Sequence, residues 1–195
     1  MSAMKPRLED LALVEPGSRA EWRQWLAENH TSSPGVWLAI GKKGNSVTTL
    51  TYDEVVEEAL CFGWIDSTVR KLDADRFKQL LTPRKPGSVW AKTNKARVEQ
   101  LTREGLMQPA GVAVVEAAIA DGSWGLLDNV EDLVVPDDLV AALAAAPSAA
   151  HNFASFSPGV KKLALYWIAS AKRPETRAKR IAETTSAAAE GRAPR

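Results

Sequence analysis

A chain of 195 residues, 45% hydrophobic and 25% charged, is long enough to bury a core and too apolar to stay unfolded. Its single cysteine excludes an internal disulfide, and with His30 and His151 as the only histidines neither a metal nor a cofactor is expected. The formal net charge of +1 argues against a dedicated nucleic-acid binder.

The first twenty residues are interrupted by charges and lack the apolar run of a secretory leader, and no segment approaches the roughly 20 apolar residues of a spanning helix. A cytoplasmic protein without membrane insertion is expected. Residues 1–17 read as an N-terminal extension, 18–190 as one domain and 191–195 as a frayed tail. Ser18 with Glu21 forms a capping box, and Trp22, Trp25 and Leu26 follow at helical spacing, so a first helix is predicted, closed by His30 on its last carbonyls. Residues 36–40 are β-formers bounded by Pro34-Gly35 and Gly41, hence a strand; 45–50 read as a polar loop. Thr51 with Glu54 opens a second helix that Gly63 closes, with Val55, Val56, Ala59 and Leu60 inward and Glu54, Glu57 and Glu58 outward. Cys61 reads as an inert thiol.

A hairpin is predicted next, 64–71 and 76–82 around a turn at Asp73-Ala74-Asp75, stopped by Pro83. Helical patterns then run over 90–104, 109–121 and 136–146, and a last pair over 158–171 and 174–189 is split by Arg173-Pro174. The fold class is α+β: mostly helical, with a small antiparallel sheet of about three strands in the N-terminal half and a C-terminal helical pair.

Charge is segregated along this order. Residues 69–104 and 161–195 each carry a net +6, while 105–159 contain seven acids and no lysine or arginine. The blocks can neutralise one another, or leave a basic face for an anion. At 100° per residue, Trp90, Asn94, Arg97 and Leu101 share one helical face, a core stripe with two polar residues in its middle. An arginine buried there needs a partner. One reading supplies it internally, from Asp66. The other opens a cleft, in which Arg84, Lys85, Asn94 and Arg97 hold a small anionic ligand, phosphorylated ligands included. Ser88 lies at the helix N-terminus, where free N–H groups favour an anion. Trp90 and Trp64 then serve as walls, and Asp66 orients an arginine or acts as the one candidate general base. In the segment 171–180, Arg173 and Arg177 either compensate helix dipoles or join the same pocket. A second reading has the basic segments bind nucleic acid, with Trp64 or Trp90 stacking on a base.

Five ordered stretches carry a resemblance: CFGWID at 61–66, TPRK at 82–85, S-x-W-x-x-x-N-x-x-R from Ser88 to Arg97, QPAG at 108–111 and AKRPETR at 171–177. Together they resemble the YdeI/OmpD-associated family over about residues 21–181, with Ser67, Leu81 and Ala91 departing from its usual glycine, phenylalanine and serine. The resemblance implies a setting in bacteriocin protection or stress resistance, or an interaction module of the cell envelope. It brings no assigned catalytic residues.

Overall fold

The computed structural model describes residues 7–42, 44 and 48–194; residues 45–47 of the polar loop, 1–6 of the N-terminal extension and Arg195 of the tail lie outside them. The chain is α+β, with its sheet in the N-terminal half and helices following. It divides into two compact units, a division the sequence reading did not make.

The first unit holds the residues up to Ser88 together with Thr93–Asp121. Its sheet has four strands: β1 (Leu13–Val14), β2 (Val36–Gly41), β3 (Trp64–Lys71) and β4 (Arg76–Pro83), in the order β1-β2-β4-β3. β1 runs parallel to β2 and the other pairs are antiparallel, so the sheet is mixed rather than purely antiparallel. The extra strand is two residues long, too short to show a period in sequence. β2, paired on both edges, is buried from Val36 to Ile40. The Trp37 ring is covered by Arg70 and Lys78, whose cationic heads lie 5.2 and 4.7 Å from its centroid.

Helices α1 (Arg19–Asn29) and α2 (Tyr52–Cys61) begin where the capping residues place them. Ser18 accepts from the Glu21 amide, and Thr51 and Glu54 exchange both bonds of a capping box. His30 follows α1 with its Nδ1 2.9 Å from the Leu26 carbonyl, the closing role its position implied. Glu58, placed outward by helical spacing, is instead 2% exposed. α1 packs on α2, and Arg19 and Arg23 reach the carboxylate at 2.6 and 2.5 Å, which makes its burial tolerable. Burial pulls both guanidiniums down, but the hydrogen bonds and charge of Glu58 prevail and hold them above the ordinary value.

α3 (Lys92–Arg103), from Thr93 on, and α4 (Pro109–Ala120) complete this unit. α4 crosses α2 at Gly111, where a Cβ would stand 2.2 Å from the Cys61 carbonyl oxygen. Gln108 secures the crossing by donating its amide to that same oxygen at 3.0 Å. The QPAG stretch is thereby accounted for by packing.

The second unit is Val89–Lys92 with the residues from Gly122 on. It contains α5 (Asp128–Glu131), α6 (Asp137–Ala144), α7 (Pro147–Ser155), α8 (Pro158–Ala169) and α9 (Pro174–Ala189) around Leu139, Phe153, Leu165, Ile168 and Ile181. The helix expected over 136–146 is α6, which ends at Ala144; α7, not expected from sequence, follows at once, because Pro147 lacks an N–H and cannot continue α6, while its fixed φ suits the first position of a new helix. Among the described residues no helix is long and apolar enough to cross a membrane.

Candidate functional site

Seven polar side chains of the first unit converge, brought by four separate stretches of chain. Tyr52 and Asp53 occupy the first turn of α2, behind the Thr51 cap. Asp66 lies on β3 beside a register shift between Asp66 and Val69, the kind of irregularity that re-aims strand side chains. Gln79 is on β4, fully buried, and Arg84 follows that strand. Asn94 and Arg97 stand three residues apart on α3.

Their contacts form two linked groups. The Tyr52 hydroxyl donates to Asp66 Oδ2 at 2.7 Å, and Gln79 Nε2 approaches the same oxygen at 3.5 Å. Gln79 Oε1 is buried without a hydrogen-bond partner. Arg97 donates through Nη1 to Asn94 Oδ1 at 3.1 Å and through Nη2 to Asp53 Oδ1 at 2.6 Å. Burial pushes the Tyr52 phenol up to about 12, and the Asp66 hydrogen bond and charge add to it, so this hydroxyl is a donor at neutral pH and a poor base. Burial also lowers the Arg84 guanidinium, to about 10, against the pull of the Asp66 carboxylate; it remains a cation at neutral pH.

Arg97 does have an internal partner, but it is Asp53 and not the expected Asp66, which Tyr52 already engages. The side chains of Arg97 and Asp53 are 25% and 70% exposed, so this pair sits near water rather than in the core. Tyr52, Asp53 and Gln79 were not singled out from sequence. A signal existed for Gln79: it lies between Phe77 and Leu81 at strand spacing, an amide in an inward-facing row.

Other expected members are placed elsewhere. Trp64 and Trp90 are each 1% exposed, so neither ring lines a cleft or is available to stack on a base. Trp64 donates its indole N–H to the His30 carbonyl and meets Trp25 edge-on. Trp90 belongs to the second unit and packs 4.8 Å from the Trp124 ring. It also precedes α3, which begins at Lys92, and so shares no helical stripe with Asn94 and Arg97. The turn before α3 is closed internally: the Ser88 amide donates to the Lys85 carbonyl, and the Gly87 amide to Asp121 at 3.0 Å. In the second unit the Lys92 amide donates to Glu131 at 2.9 Å. The Gly87 and Lys92 amides thus go to carboxylates of the chain and the Ser88 amide to a carbonyl, rather than to a bound anion. Lys85 is exposed.

Arg173 is the exposed residue before α9. Arg177 grips both oxygens of Asp138, at 2.6 and 2.9 Å, and that hydrogen bonding holds its pKa above the ordinary value. Cys61 is buried, with its thiol pushed up to about 11 chiefly by burial, as an inert cysteine should be.

Residues 132–191 match the family described as Bacteriocin-protection, YdeI or OmpD-Associated, which supports the resemblance carried by the five motifs. Of these, AKRPETR lies in the matched segment. No curated protein and no solved structure matches the chain. Residues 14–114, just over half of the chain and all of the Tyr52–Arg97 cluster, match the family described as Domain of unknown function (DUF8412), and the chain belongs to that family.

Proposed function

We propose that the N-terminal unit binds a small anionic ligand at the Tyr52, Asp66, Arg84 and Arg97 cluster, and that this binding serves a role in bacteriocin protection. The observation that carries the reading is the Arg97–Asp53 pair. A guanidinium held on the structure by Asn94 is bonded to a carboxylate that is 70% exposed. Such an exposed pair is worth about 0–1 kcal/mol. A ligand carboxylate or phosphate offering two acceptors can displace Asp53 from Arg97 at small cost. Arg84 adds a second positive charge, and Tyr52 keeps Asp66 oriented without competing for a proton. The bacteriocin setting rests on the family match of residues 132–191. The proposed place of action is the cytoplasm, which fractionation of the native protein tests.

Thermal shift against nucleotides, sugar phosphates and carboxylate metabolites tests the site. A ligand present at 100 times its dissociation constant adds roughly 2.7 kcal/mol. The expected result is a shift with at least one anion class that Arg97→Met abolishes. An identical shift in Arg97→Met, or no response to any anion, overturns the reading.

A further inference from the structure

The second unit carries an open groove of about 480 Å³ whose walls are apolar apart from one cation. α6 and α7 supply Val140, Leu143 and Phe153, the segment after α5 supplies Leu133 and Val135, and α8 supplies Lys161. Leu143 and Phe153 also belong to the core of this unit, so the groove opens directly onto core side chains.

Leu133 is the one described non-glycine residue with positive φ, at 58°. It stands just past α5 and its C-cap, where the amides of Leu133 and Val134 donate to the Val130 and Asn129 carbonyls at 3.1 and 2.8 Å. That closure calls for a left-handed residue, usually glycine. A leucine is strained there, and what its side chain adds is contact with the core and a wall of the groove. Strain of this kind collects at ligand-binding positions.

We infer that this groove binds a soluble anionic amphiphile, with an alkyl or aryl body in the trough and a carboxylate or sulfonate on the Lys161 ammonium. Size favours a small molecule. The volume falls within the roughly 300–1,000 Å³ of small-molecule sites, whereas a protein partner takes about 20–30 residues a side. Charge selects the head group: Lys161 is the sole charged lining residue, and none of the described lining residues is acidic. One of its three N–H donors goes to the Ala154 carbonyl at 2.6 Å, which leaves donors for an anion. Lys161 also sits at the fourth position of α8, near that helix's positive end. The groove and the Arg97 cluster share no residue, so the two sites are tested separately.

The test titrates the full chain with anilinonaphthalene sulfonate and with dodecanoate below its micelle concentration, read by fluorescence and calorimetry. Saturable one-to-one binding, mutual competition and at least about tenfold weaker binding of dodecyltrimethylammonium are expected. Lys161→Gln weakens dodecanoate about tenfold, the scale of one charge-assisted hydrogen bond. Ala154→Trp fills the groove from an exposed position and abolishes binding; Ala144→Trp, also exposed, does the same from α6 if the first variant lowers the melting temperature. Unsaturable binding, equal affinity for both head groups, affinity untouched by either tryptophan, or binding to anionic vesicles alone overturns the inference.

Discussion

Tyr52 offers the most direct reading of the cluster, because the chain has two tyrosines and their titration can be followed by tyrosinate absorbance. Its folded pKa, about 12, lies above the unfolded value near 10. The sign follows: the protonated phenol is favoured by folding, so its contribution is complete below about pH 10 and is lost as pH rises through 12. Partial exposure makes the loss smaller than the full shift implies. Asp66→Asn removes the carboxylate that holds the proton and should bring the phenol down towards 10; an unchanged titration would show that burial alone sets it. Arg97→Met should cost less than about 1 kcal/mol in chemical denaturation, since its partner is largely solvated. Combined with Asp66→Asn it should be additive within about 0.5 kcal/mol, because Arg97 bonds Asp53 and not Asp66. A loss of about 3–5 kcal/mol with strong coupling would mean that the buried Arg97–Asp66 pair forms after all.

At the scale of elements, the α2–α4 crossing depends on one missing methyl group. Gly111→Ala places a Cβ against the backbone of Cys61 and Leu60, neither of which can swing aside, so the helices must separate. A loss of about 3 kcal/mol is expected from thermal or denaturant unfolding, at the upper end of overpacking costs. Gly159→Ala in α8, where nothing lies within 4 Å of the new Cβ, is the control and should be neutral or gain up to about 1 kcal/mol. The elements themselves were largely legible. The Thr51–Glu54 capping box, the hairpin arms and the helices led by Pro109, Pro158 and Pro174 follow from near neighbours in sequence, while at Ser18 only half of the expected box forms, because Glu21 takes the Gly17 amide. Less legible were β1, too short for a period, and α7, which starts at Pro147 directly after the helix expected over 136–146. The helix expected from residue 90 starts at Lys92, and Trp90, which packs on Trp124 in the second unit, lies outside its register.

For the whole molecule, the segregated charges resolve into specific pairs. In the second unit the Lys92 ammonium meets Asp132 and Arg177 meets Asp138, so members of the basic blocks are neutralised by the acidic one. Trp90 contributes to that unit through its contact with Trp124. Trp90→Ala should therefore destabilise by about 3–5 kcal/mol, with lost hydrogen-exchange protection in residues 122–194. Unchanged protection there would show that the ring is dispensable to the unit. By itself the sequence determined where the longer helices and the hairpin lie, because caps, prolines and periodicity act between near neighbours. Only the tertiary structure decided which polar groups meet: Asp53 lies 44 residues from Arg97, and Gly87 lies 34 from Asp121. Several carboxylates in the chain could have satisfied each of those donors, and the choice among them was made by the fold, which brings the first turn of α2 to Arg97 and the end of α4 to the turn after β4, because no local rule couples residues so far apart in sequence.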